Sequence, residues 1–276
     1  MTTLMANLFL IALISLSALL LTPMYFFLFN LAFLDISYTS VTSPKLIYIF
    51  VMASSTLSHS ECVIQYTFFV AFTSVEYFLL TVMSYDRYVA VCRPLHYHMT
   101  LNRRFCRVAS LTIWLCGFIF CIPISLTTSQ NVYCSSNVIN HFFCDVAVLL
   151  ELSCTSTAST QNIILFEGAL FLTTCFLPTV LSYIFIINTV SKIESLSGKH
   201  KAFSTCASHL TTVILFYSVI FTLYMMPRAS LTQDQRKIIS VLFSNVIPML
   251  NPLIYSLRNK DVKRALKTVI RRSTLV

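Results

Sequence analysis

Seven long apolar stretches divide this chain, and short polar segments separate them. Their approximate bounds are 4–21, 24–51, 62–85, 108–128, 163–190, 204–226 and 238–257. A span of about 20 residues, rising 1.5 Å each, crosses the ~30 Å hydrocarbon core of a bilayer. Helices are the open structures that satisfy their own backbone groups in lipid, and the alternation of a barrel strand is not seen. The pattern predicts an all-α membrane protein, a seven-transmembrane helix bundle forming one domain over 1–276. Beyond the last stretch, Val262, Ala265, Leu266, Val269 and Ile270 recur at helical spacing between Lys and Arg. Residues 259–272 are therefore expected as an amphipathic helix on the membrane surface, held by apolar area and by attraction to anionic membrane lipids.

Composition agrees with this reading. Hydrophobic residues make up 57% of the 276 positions and charged residues 11%, where a soluble domain has about 25% charged. The net charge of +9 does not point to nucleic acid. Its basic residues sit in short clusters between apolar runs, with no extended basic surface. Three glycines, Gly117, Gly168 and Gly198, argue against a phosphate-cradling loop. No nucleophile–base constellation or metal motif stands out, so an enzyme is not expected.

The basic clusters set the expected orientation. Arg87, Arg93, Arg103, Arg104 and Arg107 follow the third stretch, and Lys192, Lys199 and Lys201 follow the fifth. The tail carries Arg258, Lys260, Lys263, Arg264, Lys267, Arg271 and Arg272, whereas Arg228, Arg236 and Lys237 fall on the opposite side. The positive-inside rule then puts the N-terminus outside and the C-terminus in the cytosol. Six of the ten cysteines lie in or beside apolar runs; Cys62, Cys134, Cys144 and Cys154 fall in or next to outer segments. Disulfides persist outside, and four cysteines allow three pairings.

Specific strings sit within this frame. Asp86-Arg87-Tyr88 ends the third stretch, which places an ionised pair at a membrane–cytosol boundary. The strings TPMYFFLFNLAFLD (22–35), MSYDRYVAVCRPLHY (83–97), HFFCD (141–145), Ser182-Tyr183, KAFSTCASHL (201–210) and PMLNPLIYSLRNKDVKRAL (248–266) follow in order. Together they resemble the olfactory (odorant) receptors, a branch of the rhodopsin-like (class A) G-protein-coupled receptors, from Asn7 to Lys267. The chain departs from that family at its start. No Asn-x-Ser/Thr sequon occurs, and only six residues precede Asn7. In family register the first helix ends near Leu16, which leaves about 16 residues or roughly 24 Å. Such a helix slides to use 17–21, or the bilayer thins. The family's Phe-Tyr-Gly reads Phe216-Tyr217-Ser218.

The resemblance implies roles. Asp86, Arg87 and Tyr88 would form the G-protein-coupling switch, with Tyr183 and Tyr255 stabilising the released state. Asn251 and Pro252 would hinge the seventh helix, since proline removes a backbone bond. Cys62 would pair with Cys144, and Cys134 with Cys154. Asp35 and Glu76 are carboxylates within apolar helices, costly if ionised and unpartnered. They are expected to share a sodium ion or a proton near Asn7 and Asn251; a neutral hydrogen-bonded network is the other reading.

The ligand pocket is expected between helices three, five, six and seven. Tyr66, Phe69, Val70, Thr73 and Ser74 share one face by 3–4 spacing. Glu167 and Phe171 join from helix five, Tyr217, Ile220, Phe221 and Tyr224 from helix six, and Ser244 from helix seven. A mostly apolar set with a few hydroxyls suits small hydrophobic ligands. Phe69 stands where aminergic receptors carry Asp, which argues against an amine bound at that point. Glu167 either meets a polar ligand group or a cation, or snorkels and pairs with a nearby hydroxyl. The partners implied are a small-molecule odorant, membrane lipids and a stimulatory, olfactory-type heterotrimeric G protein that raises cyclic AMP at the plasma membrane. Two other readings stay open. The short first helix and missing sequon fit a truncated, nonsignalling receptor product, and the buried carboxylates fit a membrane transporter. Against the transporter, inverted repeats and paired broken helices are not found.

Overall fold

The computed structural model describes residues 1–52, 56–134, 138–226, 230–258 and 260–273. Eight principal helices run along it. They are α1 (Thr2–Leu16), α2 (Pro23–Met52), α3 (His59–Cys92) and α4 (Arg103–Ser129), then α5 (Ala158–Ser191), α6 (196–225), α7 (233–258) and α8 (Lys260–Ser273). Six of these are long and apolar enough to cross a membrane, while α1 is a shorter apolar helix. No strand longer than an isolated bridge occurs among the described residues.

Polar caps decide where the helices begin. Hydropathy marks only the lipid-buried part, and the helix continues until its orphan N–H groups meet an acceptor. Ser58 and Glu61 form a reciprocal capping box at the start of α3, with Glu61 N–H donating to Ser58 Oγ at 3.2 Å and Ser58 N–H to Glu61 Oε2 at 2.8 Å. The bonded Glu61 carboxyl is held below the usual carboxylate range. Asn102 caps α4 by accepting from Phe105 N–H at 2.9 Å. Both helices therefore start earlier than the apolar stretches 62–85 and 108–128. Arg228 lies outside the described residues, as do the side chains of Lys201, Arg258, Lys260, Val269, Ile270, Arg271 and Arg272.

The first stretch, 4–21, is corrected. α1 stops at Leu16 because Ser17 turns extended (φ −109°, ψ 114°), and Ala18–Leu20 forms a separate 3₁₀ turn. At 1.5 Å per residue, α1 is about 22 Å long. Leu20 is buried, as are Val262 and Ala265 of α8, and α8 packs on α1 and on this turn. Lys263, Arg264 and Lys267 face solvent. The amphipathic face of α8 is thus partly spent on the bundle.

Helix α3 lies against α2, α4, α5 and α6, and α7 closes the ring on α1, α2 and α6. Three widened π turns occur among the described residues, Leu172–Phe176 in α5, Phe221–Met225 in α6 and Leu242–Val246 in α7; the first and third precede Pro178 and Pro248. A proline ring clashes with the carbonyl four residues before it, and the wider turn relieves that clash.

Gly117 lets α3 and α4 approach closely. A Cβ there would clash with Val75 Cγ2 and lie 3.0 Å from Val75 N and 3.1 Å from Ala71 O. Gly117→Ala is expected to cost about 1–3 kcal/mol through overpacking, and Gly117→Val more. Thermal melts of detergent-purified protein check this; equal melting temperatures for all three forms would contradict the tight α3–α4 contact.

Candidate functional site

The end of the bundle that carries Cys62 is closed by the segment between α4 and α5. Disulfides join Cys62 to Cys144 and Cys134 to Cys154, with Cα–Cα distances of 5.5 and 5.9 Å. Gln65 reinforces the first link. Its Nε2 donates to Val41 O at 3.0 Å, and its Oε1 accepts from Cys144 N–H at 3.1 Å. Asp145 caps the short helix Val146–Leu152 through Ala147 N–H (2.8 Å) and accepts from Tyr224 Oη of α6 at 2.9 Å. Phe143 reaches into the bundle, its ring 4.8 Å from that of Phe69. His141 faces Phe143 and shares a bond with its carbonyl (3.0 Å). Burial holds its imidazole below the ordinary range, against the pull of Asp145. No three metal-ligating side chains gather among the described residues.

Beneath this lid the expected pocket residues separate into groups. Phe69 is packed between Tyr38, Phe143 and Phe243. Thr73 donates to Phe69 O (2.9 Å) and lies 3.4 Å from Tyr38 Oη. Ser74 and Ile220 are buried, and Val70 is half-buried. Buried Ser244 accepts from Asn245 Nδ2 at 2.8 Å. Phe171 stacks on Tyr77 at 4.7 Å, and Tyr217 packs on Tyr77 and Phe176. Tyr66 and Glu167 are buried near enough to interact electrostatically; Tyr66 lies beside Thr128, and Glu167 Oε1 lacks a hydrogen-bond partner. Phe221 does not belong with this set. The buried side of α6 runs through Phe216, Ile220 and Leu223, so Phe221 falls past its edge and is 59% exposed.

A polar centre lies deeper. Asn251 Nδ2 donates to both oxygens of Asp35 at 3.1 Å, tying α7 to α2. Asn7 Nδ2 donates to Pro248 O (3.0 Å), tying α1 to α7. Glu76 is buried near enough to repel Asp35. Pro252 lies inside the last stretch of α7.

At the opposite end of α3 Arg87 grips Asp86 through Nε (2.9 Å) and Nη2, and both side chains are buried. The second Asp86 oxygen accepts from Tyr97 Oη at 2.8 Å. Tyr97 belongs to a helical turn, Tyr97–Thr100, just after α3. Tyr88 points away, against Phe185 and Arg93. Tyr183 Oη lies 2.6 Å from His209 Nδ1, and Tyr255 is buried beside Thr212. Sequence reasoning missed Tyr97, Gln65, His209 and the Asp145–Tyr224 bond. Tyr97 and Asp145 close two of the quoted strings, so a signal was present for them.

The bundle is the rhodopsin fold. Squid rhodopsin superposes with a TM-score of 0.68 over 97% of this chain and 76% of that one, at 18% identity, a likeness of fold alone. The olfactory receptor family profile matches residues 1–273. Olfactory receptor 8D1 of Homo sapiens is 45% identical over 271 residues, covering 97% of this chain and 87% of that protein. Olfactory receptor 5B21 of Mus musculus is 43% identical over 251 residues, covering 91% and 79%. The chain belongs to the olfactory receptor family. It is a multi-pass membrane protein and an odorant-sensing, G-protein-coupled signalling receptor, not an enzyme.

Asp145→Ala removes both a helix cap and the acceptor for a buried tyrosine. Together these are worth about 1–3 kcal/mol. Hydrogen exchange of 146–149 should quicken and the melting temperature should fall; unchanged exchange in that segment would refute the tie.

Proposed function

We propose that this receptor sits in the plasma membrane with its N-terminus outside, binds small, mostly hydrophobic volatile molecules, and activates a stimulatory, olfactory-type G protein to raise cyclic AMP. The observation that carries this reading is the buried Arg87, held by an Asp86 whose other oxygen is occupied by Tyr97. A buried charge stays charged only while it is partnered, so Arg87 at rest is spoken for. The basic residues that flank this end, Arg93, Arg103, Arg104 and Arg107, support its facing the cytosol. Ligand that favours an outward swing of the inner helix ends would release Arg87 toward the G protein by population shift.

The ligand would lie beneath the Phe143 lid among Tyr66, Val70, Thr73, Ser74, Phe171, Tyr217, Ile220 and Tyr224, with Phe69 and Ser244 supporting from the packed side. Glu167 is the polar contact of this set. Its buried, unpartnered Oε1 suits a ligand that brings a hydrogen-bond donor or an amine. Asp35 and Glu76 fit a sodium ion. A hard cation takes oxygen ligands, and the buried Asn251 Oδ1 beside them has no partner. When bound, the ion would neutralise the two carboxylates and favour the resting packing. Tyr183, Asn251, Pro252 and Tyr255 complete the switch.

Surface staining with a cyclic AMP reporter, in cells supplied with the olfactory G protein and an odorant panel, tests the reading. An odorant response that vanishes in Arg87→Ala at equal surface level is expected; a response that survives it would overturn the switch. Tyr97→Phe leaves one Asp86 oxygen without a donor. It should raise agonist-independent cyclic AMP, with a ceiling of roughly tenfold in the ratio of states. Glu167→Gln should weaken amine-bearing odorants by about tenfold and leave hydrocarbons unchanged. An unchanged ranking would remove the Glu167 contact. Replacing sodium by potassium should shift the activation curve in the parent chain and not in Asp35→Asn.

A further inference from the structure

A groove of about 690 Å³ opens on the outer surface of the bundle between the inner halves of α3 and α4. Phe78 and Val82 of α3 and Val108 and Ile113 of α4 line its length, and Thr100 and Arg104 stand at its mouth. From Arg104 to Cys116, its deepest α4 residue, the helical rise is about 18 Å. One leaflet's share of the ~30 Å hydrocarbon core is about 15 Å. The groove therefore has the length of a single acyl chain standing in one leaflet.

Its mouth has a charge that needs an answer. Between Arg87 and Asp145 the sequence holds no Asp or Glu, while Arg93, Arg103, Arg104 and Arg107 all lie there. Arg104 is exposed and has no ion-pair partner among the described residues. Thr100 at the mouth ends the Tyr97–Thr100 turn, which carries the Tyr97 hydroxyl onto Asp86 and is anchored by buried Leu101. The apolar length, the basic rim and the link to this turn meet at one place.

We propose that this groove binds one anionic phospholipid of the cytosolic leaflet. The acyl chain lies between α3 and α4, and the headgroup phosphate rests on Arg104. Occupancy steadies the Tyr97–Thr100 turn and with it the Tyr97–Asp86 bond, so the lipid favours the resting state. The site rests on the proposed orientation of the receptor, but its test needs neither odorant nor G protein.

Purified receptor is titrated with phosphatidylserine or phosphatidylcholine and read by native mass spectrometry. The first phosphatidylserine should bind about fivefold tighter, from a single basic contact. Arg104→Gln should remove that preference, and Thr112→Trp, which fills the groove from an exposed wall position, should remove the bound lipid itself. Arg103→Gln, outside the groove, should change neither. Hydrogen exchange across 94–101 should slow with phosphatidylserine in the parent chain and not in Arg104→Gln. Equal binding of the two lipids would overturn the proposal. So would equal loss in Arg103→Gln and Arg104→Gln, which would mean diffuse attraction to a basic loop. A sterol that displaces phosphatidylserine would assign the groove to a different lipid, and unchanged exchange at 94–101 would break the link to the switch.

Discussion

Water is missing from the hydrocarbon core, so every polar group placed there must find its partner within the protein. The backbone meets this demand by forming helices. Most hydroxyls meet it locally, as Thr39 does with Asp35 O and Ser84 with Leu80 O. Carboxylates cannot be satisfied this way, because they bring no donor of their own when ionised. Asp35 takes its donors from Asn251, 216 residues away, and Asp86 takes one from a turn beyond its own helix. The need to satisfy a charge thereby becomes a tertiary restraint. It joins α2 to α7 midway along the bundle, and α3 to the turn that follows it.

Helix α3 gathers these restraints on one rod. Over 34 residues, about 51 Å, it carries the disulfide at Cys62, the Gln65 bridge, the packed Phe69, buried Glu76 and the Asp86–Arg87 pair. Gly117 brings α4 close along its middle. Neighbours on different sides hold it at different levels: α2 and the lid near Cys62, α5 and α6 through Phe171 and Phe216 against Tyr77, and the Tyr97 turn at its far end. A helix held at so many levels does not bend freely. Movement between states must therefore be sought in the helices around it. The π turns before Pro178 and Pro248 already loosen the backbone ladder in α5 and α7.

Hydropathy made the seven-helix architecture legible, because lipid tolerates so few alternatives. It misjudged ends for a physical reason. Apolar content does not report backbone conformation, so Ala18–Leu20 counted as helix although Ser17 breaks it. Polar caps such as Ser58 and Asn102 were legible as residues but lie beyond the apolar run. The site was legible where a chemical demand was local, as with Asp86 and Arg87. It was less legible where packing decides. Helical spacing groups Phe221 with Tyr217 and Tyr224, yet only neighbouring helices determine which edge is covered. Phe143 comes from a loop without periodicity, and nothing in the sequence announces that its ring lies on Phe69. His209 lies inside one of the quoted strings, but its bond to Tyr183 depends on how α5 and α6 lie together.

Arg87 also has neighbours that it does not yet engage. Tyr183, His209 and Tyr255 all lie within its electrostatic reach. Tyr183 is occupied by His209 Nδ1, Tyr255 is buried beside Thr212, and the His209 ring lies against the Leu80 backbone. A guanidinium has five donors, and Arg87 turns some of them to a single carboxylate. Under the proposed switching role, turning Arg87 from Asp86 toward the tyrosines would give it new acceptors while leaving Tyr97 to hold the carboxylate. Separating a buried ion pair costs about 3–5 kcal/mol, so that end of the bundle must open and admit water or a partner to the freed carboxylate as the arginine turns. That cost keeps the pair closed until ligand binding favours the opened arrangement.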